Sequence, residues 1–266
     1  MDSLKGQVAI VTGSATGIGY GIAKRLSEEG ANIVMVDFDP EMAEQSSSEM
    51  AARGTEVEVS IGDVSEPQTA QDAVRKAIDK WGKIDILVNN AGIGGINGNI
   101  WELDVEELDR VYRTNFRGVF SFCHEVIPHM IERDYGRVVN IASIAGTRAG
   151  SGRTAYGTSK SAVIGLTRQA ALELAQHGIT VNAVAPGPVD TPLTRVTHNE
   201  ATREGYKQLI PLGRYGTVEE MADAAVFLAG KQASYITGHI LYVDGGYIAA
   251  GIASDFGGVI DPSQKN

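Results

Sequence analysis

Tyr156 and Lys160 stand four residues apart in Tyr156-Gly157-Thr158-Ser159-Lys160, and Ser143 lies thirteen positions before the tyrosine. On a helix, residues four apart share a face, so the phenol and the ammonium are expected to enter one site. A free tyrosine titrates near ~10 and is a poor acid or base at neutral pH. A neighbouring cation favours the phenolate and lowers that value. A shift of about three units needs roughly 4 kcal/mol of differential stabilisation, within reach of a lysine and a cationic cofactor ring at close range. The pair therefore points to a tyrosine that moves a proton. Alone it is a weak sign, because exposed helices carry Tyr-x-x-x-Lys by chance.

Such a pair needs a scaffold, and the chain alternates short apolar runs with helical stretches. Val8–Val11, Ile33–Val36, Ile86–Val88, Val138–Ile141, Thr180–Val184 and Ile240–Val243 read as strands, with a weaker candidate over 55–61. The runs are continuous rather than alternating, as expected for strands covered on both faces. Helices are expected over 17–29, 40–53, 66–81 and 154–177. This alternation predicts an α/β fold, a Rossmann-type doubly wound parallel sheet of about seven strands with helices on both faces. One domain over 1–248 is expected, with a substrate lid over about 187–215 and a Gly-rich C-terminal tail over 249–266.

The chain has 266 residues, 43% of them apolar, and 32 glycines suited to tight strand–helix connections. A net charge of −10 argues against a nucleic-acid surface, which needs clustered Lys and Arg. No apolar run approaches the ~20 residues that span a bilayer. The opening residues lack a signal-peptide layout, so a soluble cytoplasmic protein is expected. Cys123, the single cysteine, sits in an apolar run and reads as a buried small hydrophobe. The five histidines are scattered and read as structural or surface groups; no cluster has metal-ligand spacing, and no metal is expected.

The first strand runs into Thr12-Gly13-Ser14-Ala15-Thr16-Gly17-Ile18-Gly19 and then a helix. Glycines 13, 17 and 19 permit a tight turn and close backbone approach, leaving helix N–H groups aimed at a pyrophosphate. Asp37 ends the second strand eighteen residues past Gly19, where a carboxylate would accept hydrogen bonds from an adenosine ribose. A 2′-phosphate there would meet like charge, and neither Phe38 nor Thr16 offers a compensating cation, so NAD is expected rather than NADP. The competing role for an acid here, capping the next helix, suits Asp39 before Pro40 better. Asp63 and Val64 follow the third apolar run and could hold the adenine by one polar and one apolar contact.

Together these residues resemble the short-chain dehydrogenase/reductase family, in its compact single-domain form, over residues 4 to about 248. The resemblance rests on Thr12-Gly13-x-x-x-Gly17-Ile18-Gly19, Asp63-Val64, Asn89-Asn90-Ala91-Gly92, Asn115, Ser143, Tyr156-x-x-x-Lys160 and Pro186-Gly187-x-Val189-x-Thr191, in order and at the family's spacing. It implies that Tyr156 is the general acid/base and that Ser143 hydrogen-bonds the substrate oxygen. Lys160 would bind the nicotinamide ribose and depress the tyrosine pKa, and Asn115 would hold a water linking Lys160 to solvent. Asn90 would contact the cofactor ribose, Val189 the nicotinamide carboxamide, and Thr191 the carboxamide or pyrophosphate. Gly13, Ser14, Thr16, Gly17, Ile18, Gly19, Ala91, Gly92, Pro186 and Gly187, with Tyr156 itself, complete the implied cofactor set.

Specificity is expected in three loops, 93–99, 144–153 and 193–214, the first two small and Gly-rich, leaving room near the reacting carbon. Arg148, Arg153 and Arg195 are the obvious handles for an anionic substrate, although each reads first as a surface or interface charge. Gly94, Gly95, Asn97 and Asn99 could hydrogen-bond a hydroxylated substrate or serve ordinary turns. The family resemblance implies a small alcohol or ketone substrate, with sugar and polyol dehydrogenases or NADPH-linked 3-oxoacyl thioester reductases as the nearest types. A non-catalytic nucleotide-binding regulator would show damage among Asn115, Ser143, Tyr156 and Lys160, and all four are intact. A sugar-nucleotide epimerase would need a larger C-terminal region. Apolar faces on the helices carrying Val111–Val126 and Tyr156–Leu174, with the resemblance, imply a homotetramer or homodimer.

Overall fold

The computed structural model describes residues 3–250. The tail expected over 249–266 lies, beyond Ala250, outside the described residues. Seven strands form one wholly parallel sheet: β1 (Val8–Thr12), β2 (Asn32–Asp37), β3 (Val57–Ile61), β4 (Ile86–Asn89), β5 (Gly136–Ile141), β6 (Ile179–Pro186) and β7 (Ile240–Val243). Their order is β3-β2-β1-β4-β5-β6-β7. The chain builds outward from β1 to β3, then returns to the other side of β1 to place β4. That reversal opens a crevice at the carboxyl ends of β1 and β4, where a doubly wound sheet binds its ligand.

Every residue of β1, β4, β5 and β6 is buried, which explains why the strands read as unbroken apolar runs. Val8, Ile10, Val34, Leu87 and Val138 face α3 (Pro67–Trp81), α5 (Gly118–Ile131) and α6 (Thr154–Leu174). Ala9, Val11, Ile33, Val88 and Val139 face α1 (Gly17–Glu28) and α9 (Val218–Ala229). Asp39 caps α2 (Pro40–Ala51), accepting from the Glu41 and Met42 amides at 3.1 Å each, as its position before proline predicts. No described helix is long and apolar enough to cross a membrane.

Two segments differ from the sequence reading. The helix expected through Val111–Val126 is divided into α4 (Val105–Tyr112), a π-helical turn over Arg113–Arg117, and α5. A π-turn adds one residue to the helical repeat and so re-aims the side chains it carries. Here it carries Asn115, which is fully buried. The segment after β6 also gains structure, as α7 (Pro192–Thr197) and α8 (Glu200–Leu209). Thr191 caps α7 through a reciprocal pair with Thr194, and Asn199 caps α8 by accepting from the Thr202 amide at 2.9 Å.

Candidate active site

α6 delivers Tyr156 and Lys160, and its seat is a short 3₁₀ turn over Ile144–Gly146 that follows β5. A Cβ at Gly146 would lie 2.8 Å from the Lys160 carbonyl carbon, and one at Gly157 would lie 3.1 Å from the Ala145 oxygen. Helix and turn therefore meet backbone to backbone. Ser161 Oγ closes the contact by donating to the Gly146 carbonyl at 2.8 Å. Glycine in this loop does not simply leave room beside the substrate, as the sequence reading has it; Gly146 allows α6 to dock. Ser143 starts the turn, its Oγ accepting from the Ala145 amide at 3.1 Å, which leaves the hydroxyl proton free.

Lys160 Nζ donates to the Ile141 carbonyl at 2.8 Å and sits 5.9 Å from the centre of the Tyr156 ring. The side chain is only 4% exposed, and burial pulls its pKa down to about 8. Asn115 reaches the same corner. A Cβ at Gly92 would lie 3.2 Å from Asn115 Oδ1 and 3.4 Å from Lys160 Nζ, so the two groups converge where that glycine has no side chain. The Asn115 amide clamps Ile93 on both sides, donating to its carbonyl at 2.9 Å and accepting from its N–H at 2.8 Å. Its Nδ2 also donates to Ser159 Oγ at 3.1 Å, and Ser159 donates to the Tyr156 carbonyl at 2.7 Å. Ser159 thus ties the π-turn to α6, a role its place inside the Tyr-x-x-x-Lys stretch conceals.

At the other end of the crevice, Gly13 (φ 61°) and Gly17 (φ 57°) occupy the left-handed region that glycine favours. A Cβ at Gly19 would fall 2.0 Å from the Gly13 carbonyl oxygen, so α1 packs directly on the turn. Asn90 braces that turn, Nδ2 donating to the Thr12 and Gly13 carbonyls at 3.0 and 2.9 Å. Its amide nitrogen is therefore engaged with the turn. Thr12 Oγ1 accepts from the Asn90 and Ala91 amides at 2.9 and 3.1 Å, locking β1 to the strand β4 segment. Asp37 is buried, with Oδ2 accepting from the Ala15 amide at 2.8 Å. Asp63 is exposed and accepts from the Ser65 amide at 2.8 Å, while Val64 is buried beneath it.

The last implied segment is equally constrained. Pro186 ends β6, and a Cβ at Gly187 would lie 2.8 Å from Asp244 Cα, so glycine is needed there for packing. Val189 is buried, and its carbonyl accepts from Thr194 Oγ1 at 2.6 Å. The Thr191 hydroxyl is engaged in the α7 cap. Behind the crevice runs a buried polar ladder that sequence reasoning missed: Asn89 Nδ2 donates to Asn140 Oδ1, and Asn140 Nδ2 to Thr167 Oγ1, each at 2.9 Å. Asparagines inside strands β4 and β5 were the available signal. Cys123 borders this ladder with its thiol pushed up to about 12 by burial, an inert core group.

On the substrate side, Arg195 pairs with Asp190 at 3.0 Å, and Arg148 donates to the Tyr247 carbonyl at 3.2 Å. Arg153 lies inside the cleft, its guanidinium carbon 4.4 Å from the Tyr156 ring centre. His198, read from sequence as an ordinary surface or structural group, stacks on Tyr206 at 5.5 Å and meets the Tyr215 hydroxyl at 2.9 Å. Asn99 is engaged with Glu102, its amide nitrogens both donating to Oε2. The rim exposes Ile96, Trp101, Leu193 and Val196, the last at 86%.

The cofactor end fits a nicotinamide dinucleotide. A Cβ at Gly17 would meet no atom of the described residues within 4 Å, so among them the space over the turn is open. Thr16 gives α1 no side-chain cap, leaving the helix amides available to a phosphate. Among the described residues no group of three or more His, Cys, Asp or Glu could hold a metal ion.

Comparison with known proteins agrees with this geometry. The family profile described as enoyl-(acyl carrier protein) reductase matches residues 13–248. The chain is 38% identical to 3-oxoacyl-[acyl-carrier-protein] reductase of Thermotoga maritima over 245 residues, covering 92% of this chain and 99% of the relative. Levodione reductase superposes with a TM-score of 0.90 at 35% identity, over 93% of this chain and 100% of its own. NAD⁺-bound xylitol dehydrogenase does so with a TM-score of 0.87 at 33% identity, over 91% and 99%. The chain belongs to the short-chain dehydrogenase/reductase family and is an oxidoreductase of the class that acts on CH–OH groups of small molecules.

Proposed function

We propose that this oxidoreductase is NAD(H)-linked and interconverts a secondary alcohol and a ketone of the sugar or polyol type, with Tyr156 as general acid/base. The observation that carries the cofactor choice is Asp37, a buried carboxylate at the carboxyl end of β2 held against the Gly-rich turn by the Ala15 amide. Such a group accepts from ribose hydroxyls and repels a 2′-phosphate. The dinucleotide would be held by Gly13, Ser14, Thr16, Gly17, Ile18 and Gly19 at the pyrophosphate. Asp37, Asp63 and Val64 would take the adenosine end. Asn90, Ala91, Gly92, Lys160, Pro186, Gly187, Val189 and Thr191 would surround the nicotinamide end. When bound it supplies the hydride acceptor or donor; the protein supplies everything that handles the oxygen and its proton.

Tyr156 takes the hydroxyl proton during oxidation and returns it during reduction, while Ser143 donates to the same oxygen. Lys160 Nζ, fixed by the Ile141 carbonyl, places positive charge near the phenol, and Asn115 holds the loop through Gly92 and Ile93 against it. Residues 1–248 act as one domain, with α7 and α8 as its lid over about 187–215. The face shared by α5 and α6, which exposes Phe120 and Leu172, supports assembly into a homotetramer or homodimer. A second reading, an NADPH-linked 3-oxoacyl thioester reductase, is favoured by the name of the Thermotoga maritima relative.

The test is reduced-cofactor formation across polyols, sugars and simple secondary alcohols, with NAD and NADP in parallel. Turnover is expected with NAD, and Asp37→Ala is expected to lower kcat/KM for NAD about tenfold or more, the value of a hydrogen bond to a charged group. Activity with NADP alone, on 3-oxoacyl thioesters, would give the second reading instead.

A further inference from the structure

Of the three arginines on the substrate side, one is neutralised by an acid and one is an exposed surface group. Arg195 shares Asp190 with Arg203, at 3.0 and 2.6 Å. Arg148 lies over the Tyr247 ring and donates to that residue's carbonyl. Arg153, which like Arg148 meets no acid among the described residues, differs from it in being half-buried and in lying against the proposed proton carrier. Its guanidinium lies over the Tyr156 ring, and its one side-chain hydrogen bond among the described residues goes to a neutral group, Asn97 Oδ1 at 2.9 Å. No carboxylate pairs with it among the described residues. Glu107, the acid that serves the facing loop, is already held by Arg110 and the Ile96 amide, both at 2.7 Å.

The placement is built. Gly98 N–H donates to the Gly152 carbonyl at 3.1 Å, joining the loop after β4 to the loop before α6 at the residue next to Arg153. Asn97 then fixes one arm of the fork. A guanidinium has five N–H donors, and most of these meet no acceptor among the described residues, in a half-buried position beside the proposed proton-transfer group. A part-buried guanidinium held in this way presents its fork to a planar oxyanion, which takes two parallel hydrogen bonds. Its field reaches the lid: the Tyr206 phenol is pushed up by burial and by Tyr247, and Arg153 opposes that shift.

We propose that Arg153 is a specificity-determining residue that binds a carboxylate on the substrate, so that the chain acts on hydroxy acids and their oxo acids. The carboxylate lies within a few bonds of the carbinol carbon, because the guanidinium sits against the ring whose hydroxyl takes the proton. Sugar acids satisfy both this requirement and the polyol reading. The carboxylate is unchanged in the reaction; the carbinol carbon loses hydride and its hydroxyl loses a proton to Tyr156. This inference rests on the proposed function, and the experiment separates the two.

Wild type, Arg153→Gln and Arg153→Lys would be assayed on matched pairs: D-gluconate with D-glucitol, and 3-hydroxybutyrate with its methyl ester. Unreactive butyrate and butyramide would be titrated calorimetrically, with thermal melting to confirm folding. Wild type is expected to favour the acid of a pair about 10- to 100-fold in kcat/KM, the range for a hydrogen-bonded charge. Arg153→Gln should bring that ratio near one, and Arg153→Lys should fall between because it keeps the charge and loses the fork. Butyrate binding should weaken at least about tenfold in Arg153→Gln, with butyramide insensitive to the change. Equal use of acid and neutral partner by wild type, or equal loss on both in Arg153→Gln, overturns the carboxylate site and leaves the oxidoreductase reading standing. Arg153-dependent butyrate binding without turnover of any alcohol keeps the site and overturns the polyol reading. The absence of both turnover and Arg153-dependent butyrate binding overturns the carboxylate site.

Discussion

The two ends of the crevice are built on different principles. At the cofactor end, backbone meets backbone: Gly13 N–H donates to the Val36 carbonyl at 2.8 Å, Asn90 pins the turn, and Gly19 lies too close to Gly13 for any side chain. At the substrate end, side chains from distant segments meet one another: Arg153 with Asn97 and Tyr156, and His198 with Tyr206 and Tyr215. The first end is anchored in buried strands, and the second is carried on exposed loops and short helices. A shared cofactor needs fixed geometry, whereas a particular substrate needs a particular set of side chains.

The largest expected effect falls where the ends meet. Tyr156→Phe removes the proposed proton carrier and should lower kcat by about 10²- to 10⁴-fold while reduced-cofactor binding, followed by fluorescence titration, stays nearly intact. A variant keeping more than about a tenth of wild-type kcat would refute the acid/base role.

Next come the glycines, which test the contrast itself. Gly19→Ala drives a Cβ against the Gly13 oxygen, so the turn or α1 must shift, at a cost of about 1–3 kcal/mol in chemical unfolding and with weakened dinucleotide binding. Gly205, inside α8, would place a Cβ in open space. Gly205→Ala should therefore leave stability unchanged or raise it by up to about 1 kcal/mol. Equal tolerance at both positions would break the distinction between the ends.

A smaller effect follows from Lys160. Burial lowers its pKa from 10.5 to about 8 in the folded protein. Between these values the unfolded chain holds more protons, so this group makes stability rise with pH, and its cost is fully present below about 8. Lys160→Met should flatten that part of the pH dependence when cofactor-free denaturation midpoints are compared from pH 7 to about 10. An unchanged slope would show that Lys160 is not desolvated before cofactor binds.

Much of this was legible before any coordinates. The strands β1, β2, β4, β5 and β6 are continuous apolar runs because both faces are covered, and Asp39-Pro40 marks a helix start by local chemistry alone. The division at Asn115 was not legible. Asn115 sits in an otherwise ordinary helical pattern, and a π-turn is favoured there only by what its amide meets, the Ile93 backbone from a different loop. Thr191 shows the same limit, since a threonine before proline can cap a helix or contact a ligand, and the cap engages its hydroxyl. Gly146 belongs to a loop whose glycines suggest room near the substrate, yet its need for glycine comes from α6, packed against it from fourteen residues onward at Lys160.

Sequence alone therefore determined the sheet, the Gly-rich turn, the acid at the end of β2 and the Tyr156–Lys160 pair. Each depends on local sterics, on periodicity, or on spacing along one element. Only the tertiary structure decided that Arg153 lies over Tyr156 with no carboxylate among the described residues while Arg195 is neutralised by Asp190. The two arginines read alike in sequence, because what surrounds a charge is set by segments that meet only when the chain has folded.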